Sequence, residues 1–139
     1  MENFKQHFNE DKQKIVSFDF DGTIAHTKEV PVNSYIDKEV LIPNPRIINK
    51  IKAHAAKGDK VILVTTRNDE HMPEVKEFLA THNVPISDVY NTNMNWKRNT
   101  LKRLDVDMHY DDNPDELKRI RHTKIEGIKA DEQERPDLF

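Results

Sequence analysis

Short apolar runs alternate along this chain with segments whose apolar residues recur at helical spacing. That order limits the fold more than any other feature of the sequence. Ile15-Val16-Ser17-Phe18 and Val61-Ile62-Leu63-Val64 are too short to be helices. They are nearly continuous in apolar character, as expected of strands covered on both faces. Between them, Asn44-Pro45 offers an N-cap followed by proline at the first helical position. Ile47, Ile48, Ile51 and Ala55 then fall on one stripe, and Gly58 marks a stop. The pattern continues with a helix over Glu74–His82 and a short strand at Asp88–Tyr90. A helix carrying Trp96, Leu101 and Leu104 follows, then a strand over Val106–Tyr110, a helix from Asn113-Pro114, and an edge strand near Ile125–Ile128. Strands alternating with helices imply an α/β fold, a Rossmann-like parallel sheet sandwiched by helices.

The chain has 139 residues, which predicts a single domain over 1–139 with a core from about 14 to 128. The first dozen residues and the tail from Asp131 are polar and read as peripheral, the tail as frayed. A net charge of −3 supplies no whole-protein field toward nucleic acid or membrane. The absence of cysteine excludes disulfides, thiolate metal sites and a cysteine nucleophile. No apolar stretch is long enough to span a bilayer, so no membrane partner is expected. The start Met1-Glu2-Asn3-Phe4-Lys5 lacks the apolar core of a signal peptide, and the expected location is the cytoplasm.

Ligands in such sheets sit beyond the carboxyl ends of the strands. The first strand ends in Asp19-Phe20-Asp21-Gly22-Thr23, the second in Thr65-Thr66-Arg67, and that over Val106–Tyr110 in Asp111-Asp112. Four carboxylates, Asp19, Asp21, Asp111 and Asp112, would therefore meet at one point. Packed like charges raise one another's pKa unless a cation lies among them. An all-oxygen, water-accessible site suits Mg2+. His26 and His109 have no metal-ligand spacing and read as surface or supporting histidines. Each part alone has an ordinary explanation, as a solvated turn, a helix cap or a surface lysine. The set in one consistent order at successive strand ends does not.

D-x-D-G-T, a strand ending in T-x-R, a lysine at a helix start and D-D after a strand together resemble the haloacid dehalogenase superfamily. The matching residues are Asp19, Asp21, Gly22, Thr23, Thr65, Arg67, Lys97, Asp111 and Asp112, and the resemblance runs from about Ile15 to about Ile120. Lys102 lies close to Lys97, but Lys97 fits the helix start better. The resemblance implies that Asp19 attacks phosphorus to form an aspartyl-phosphate. Asp21 would protonate the leaving oxygen and then deprotonate water. Thr65 would bond the phosphoryl group and Lys97 would neutralise it. Gly22, Thr23, Thr66 and Arg67 would line the substrate. Asp19, the backbone carbonyl of Asp21, and Asp111 or Asp112 would hold Mg2+. Transport ATPases carry threonine where Asp21 stands, and dehalogenases lack this second aspartate, so hydrolysis of a phosphate ester is implied.

The stretches Thr23–Val61 and Thr66–Lys97 read as too short to hold a cap domain, the first as a short connection plus one helix. An open site fits a large or terminal phosphate substrate, or a cap lent by another copy in a homo-oligomer. Arg67 resembles an arginine of the polynucleotide kinase-phosphatase phosphatase domain, which points to a nucleotide or nucleic-acid end. Arg98, Lys102 and Arg103 add positive charge near Lys97. Trp96 could stack a base, although a half-buried packing role is the simpler reading. The alternatives are a phosphatase for another small metabolite or a protein phosphate, and a receiver-like phospho-binding module. In receivers the acidic pair precedes the phospho-accepting strand, the reverse of the order here.

Overall fold

The computed structural model describes residues 12–130, so the terminal segments lie outside the described residues. Five parallel strands form the central sheet: β1 (Ile15–Phe18), β4 (Lys60–Thr65), β5 (Asp88–Asn91), β6 (Met108–Asp111) and β7 (Glu126–Lys129), in the order β5-β4-β1-β6-β7. β1 lies at the centre, with Val16 opposite Val61 on one side and Met108 on the other. The helices are α1 (Pro45–Ala56), α2 (Met72–Thr81), α3 (Arg98–Arg103) and α4 (Pro114–Arg119). A 3-10 turn, Asp69–His71, leads into α2.

Alternation along β4 explains why its apolar run is unbroken. Val61 and Leu63 join a core with Phe18, Ile47, Ile51, Val75 and Phe78 under α1 and α2. Ile62 and Val64 join a second core with Leu101, Val106 and Ile120 under α3 and α4. Both sheet faces are covered, so both residue parities are apolar. Asn44 caps α1 as expected, its side chain accepting from the Arg46 N–H at 3.2 Å. Asn113 caps α4 in the same way, accepting from the Asp115 N–H at 2.9 Å. Phe18 stacks on Tyr110 across β1 and β6, with ring centroids 4.4 Å apart.

The connection after β1 is not short. It holds an antiparallel hairpin of β2 (Ala25–Pro31) and β3 (Asp37–Pro43), with Thr27 opposite Leu41 and Glu29 opposite Glu39. The hairpin is no cap domain, but it stands as a wall beside the carboxyl edge of the sheet. Its tip is closed by Asn33, whose side chain accepts from the Tyr35 and Ile36 N–H groups. The sequence hides it because β2 is almost wholly solvent-exposed and so shows no apolar alternation.

Candidate active site

The chain leaves β1 through Asp19 and turns at once. Thr23, Ile24 and Ala25 all donate backbone hydrogen bonds to the Phe20 carbonyl. Gly22 sits at φ +82°, a region open to glycine. A Cβ there would lie 2.1 Å from Asp112 Oδ2. The turn therefore requires glycine twice, for its dihedral and for the close approach of the first loop to the last acidic pair.

Lys97 is the hub. Its Nζ donates to Asp19 Oδ1 and to Asp111 Oδ2, each at 2.7 Å, and its side chain is 3% exposed. It stands just before α3, and Glu116 of α4 accepts from its backbone N–H at 3.2 Å. Lys102 is exposed, and Lys97 is the lysine that reaches the carboxylates. Thr23 is fully buried and donates to Asp19 Oδ2 at 3.2 Å. It supports Asp19 from within the fold and lines neither of the two clefts described below. Behind Asp111 runs a buried chain that sequence reasoning missed. His109 Nε2 lies 2.8 Å from Asp111 Oδ2, and His109 Nδ1 lies 2.7 Å from Ser17 Oγ. Ser17 and His109 are register partners on β1 and β6. Asp111 Oδ1 accepts from the Asn113 N–H at 3.0 Å, so both oxygens of Asp111 are engaged by protein.

Burial pushes Asp19 well above the usual carboxylate range, with Lys97 opposing and Asp111 and Asp112 adding to the rise. Burial also works against the charge on Lys97, but Asp19 and Asp111 outweigh it and hold the ammonium above its ordinary value. Asp111 goes the other way. Burial would raise it, yet the His109 hydrogen bond and the Lys97 charge hold it below the carboxylate range. His109 is lowered, chiefly by burial, and Glu116 is raised for the same reason. Among the described residues three clustered carboxylates, Asp19, Asp111 and Asp112, thus stand against the one Lys97 ammonium. Oxygens of Asp19, Asp111 and Asp112 lie within 4.8 Å of one another. A compact all-carboxylate donor set short of positive charge fits a hard divalent cation such as Mg2+. The Asp21 carboxylate is outside that cluster.

Arg67 grips Asp21 with both edges of its fork, Nε to Oδ2 and Nη2 to Oδ1 at 2.8 Å each. Its Nη1 donates to Glu74 at 3.1 Å, and its plane lies over Phe20. The guanidinium is therefore bonded to two carboxylates, and it lines the cleft on the hairpin side. Thr65 is buried, and its Oγ1 accepts from the Arg67 N–H at 3.2 Å, while Thr66 lines the open cleft. Trp96 is half exposed, with the Arg119 guanidinium 3.5 Å above its ring. Arg98, Lys102 and Arg103 are exposed, as a basic face would be.

A cleft of about 390 Å³ opens over Asp19, Lys97, Asp111, Asp112 and Glu116. A second of about 390 Å³ lies toward the hairpin, and the two share only Asp21 and Thr66. Among the described residues no helix is long and apolar enough to cross a membrane.

A parallel sheet of this order, with Asp19, Asp21, Lys97 and the acidic pair at its carboxyl edge, defines a haloacid dehalogenase-like phosphatase fold. The family model of the polynucleotide kinase PNKP phosphatase domain matches residues 13–113, and the chain belongs to that family of phosphatases. Among solved structures, a chain of "Structure of the Pnkp1/Rnl/Hen1 RNA repair complex" matches with TM-score 0.64 and 21% identity, covering 84% of this chain and 42% of that one. A chain of "Structure of Pnkp1/Rnl/Hen1 complex" matches with TM-score 0.61 and 20% identity, covering 86% and 46%. The present chain spans less than half the length of either. No curated protein matches it.

Proposed function

We propose that this chain is a Mg2+-dependent phosphomonoesterase that works through an aspartyl-phosphate on Asp19 and acts on the terminal phosphate of a nucleotide or nucleic acid. The observation that carries the reading is the Lys97 ammonium, buried and bonded at 2.7 Å to both Asp19 and Asp111. It fixes the nucleophile and places a positive charge where phosphoryl oxygens would arrive. Thr23 holds the other Asp19 oxygen. Asp19 attacks phosphorus, the bond from phosphorus to the leaving oxygen breaks, and Asp21 delivers a proton to that oxygen. Asp21 then removes a proton from water as the water attacks phosphorus, and Asp19 is released. Arg67 positions the Asp21 side chain in its ionised form, the form that takes the proton from water.

Asp19 and Asp112, with the backbone carbonyl of Asp21, are the proposed donors to Mg2+. Asp111 already has both oxygens engaged and would orient the site from behind. Bound Mg2+ would neutralise charge on the phosphoryl oxygens. Support for a nucleic-acid end comes from the family and from the RNA repair complex named for the structural neighbours. The test is phosphate release from phenyl phosphate and from 3'- and 5'-phosphorylated oligonucleotides, with Mg2+ and with excess chelator. Release that depends on Mg2+ and extends to an oligonucleotide end is expected. Full activity in chelator would overturn the metal assignment.

A further inference from the structure

The second cleft is unassigned by the chemistry above, and it lies where a leaving group must go. Asp21 protonates the leaving oxygen, so the leaving group sits on the Asp21 side, away from Lys97 and the acidic pair. The hairpin-side cleft begins there, sharing Asp21 and Thr66 with the phosphoryl cleft.

Its chemistry is uneven in an informative way. Asp21, Glu39 and Glu74 bring three carboxylates against one guanidinium, Arg67, and that guanidinium is bonded to two of the three. Such a wall repels a further phosphate and accepts hydrogen bonds from hydroxyl and amino groups. The Arg67 charge is taken up by Asp21 and Glu74, and apolar surface is offered by Leu41 and Met94. Met94 is 72% exposed yet held in place. Its φ is +70°, uncommon for a bulky residue, and its N–H donates to the Thr66 carbonyl at 2.7 Å. Its neighbour Asn93, also at positive φ, accepts from the Asp69 N–H at 2.9 Å. The loop backbone is thus tied to the segment after β4, and an exposed methionine stands among the cleft residues at a cost in backbone strain. Polarizable methionine beside aliphatic side chains suits a flat aromatic face.

We infer that this cleft binds one uncharged nucleoside, the leaving group of the substrate. Its base would lie against Leu41 and Met94, its hydroxyl and amino donors would face Glu39 and Glu74, and any further phosphate would stay outside. The inference rests on the phosphatase reading of the Asp19 site, and the hairpin becomes a specificity element rather than a mere connection.

Two measurements on the wild-type protein separate the two claims. With methyl-labelled methionine, the Met94 resonance, assigned by its loss in Met94→Leu, should shift on titration with a phosphate-free nucleoside. With Mg2+, KM for a nucleoside monophosphate should be lower than for glycerol phosphate by about tenfold, a factor within reach of one stacked base. In Glu39→Lys, checked for folding by its melt, a nucleoside bisphosphate should gain on the monophosphate by about tenfold, since a repulsive carboxylate becomes an attractive ammonium. Hydrolysis of phenyl phosphate with no Met94 shift at millimolar nucleoside and no KM advantage would overturn the pocket and leave the phosphatase standing. Preference for a phosphopeptide would also overturn it. A Met94 shift without hydrolysis of any phosphate would sustain the pocket and overturn the catalytic reading.

Discussion

Replacing Lys97 with methionine removes the cation that joins Asp19 to Asp111 while keeping most of the length of the side chain. Each of the two ion pairs is 2.7 Å long and almost fully buried. At an effective dielectric of ~20 each corresponds to an attraction of about 6 kcal/mol. Desolvation of the three ions offsets most of that, and breaking a buried pair by deleting one partner costs about 3–5 kcal/mol. Asp19 can limit the loss by taking up a proton, because burial already pushes it upward. A domain has only about 5–15 kcal/mol of stability in total, so the change should be plain in urea. Mg2+ should recover part of it, since a cation among Asp19 and Asp112 relieves the same repulsion. Turnover should not recover. It should stay down by about 10²–10³, as expected when one fixed donor to the phosphoryl oxygens is gone. The assay is urea unfolding with and without Mg2+, paired with phenyl phosphate turnover. A Lys97→Met protein with unchanged midpoint and unchanged turnover would refute the role given to this lysine.

Other substitutions test other parts of the site. Asp21→Asn should slow both formation and breakdown of the phosphoenzyme by about 10²–10⁴, measured by rapid quench, because both proton transfers use that carboxylate. Arg67→Ala removes three side-chain hydrogen bonds to Asp21 and Glu74, so kcat should fall about tenfold or more. Arg67→Lys should restore little of it, since an ammonium cannot reproduce the two-pronged grip. Gly22→Ala should cost about 1–2 kcal/mol for its φ of +82° alone. The clash with Asp112 adds to this, and the Mg2+ concentration needed for half activity should rise about tenfold or more. A Gly22→Ala protein with wild-type melt and wild-type Mg2+ response would contradict the proposed closeness of the two loops.

Much of this arrangement was legible because the residues at strand ends carry both burial and chemistry. Val61 to Val64 reads as a doubly covered strand, and Asn44 and Asn113 read as caps; all three are observed. The order of the elements and the family resemblance pointed to the acidic pair, Lys97 and Arg67 as candidates, with Lys97 preferred to Lys102 for its place at a helix start. Their contacts were not legible. Nothing in the sequence tells that Arg67 turns to Asp21 or that Thr23 turns inward to Asp19, because both depend on the path of the loops. The hairpin escaped notice because a two-stranded element with one solvated strand needs no apolar period. Ser17 and His109 did leave a faint signal, a serine inside a buried apolar run and a histidine two residues before Asp111. Only strand register brings them together, and register is a property of the assembled sheet. Glu116 is a similar case, an acid on a short helix that folds back beneath the Lys97 backbone.

The covalent intermediate is the centre of the account, and it can be seen directly. Protein is mixed with a radiolabelled phosphomonoester and Mg2+, quenched in acid, and digested for peptide mapping. The account predicts acid-stable, hydroxylamine-labile phosphate on the peptide that contains Asp19. It should form and decay more slowly when Asp21 is asparagine and disappear when Asp19 is asparagine. Steady hydrolysis by Asp19→Asn, or label on any residue other than Asp19, would contradict it.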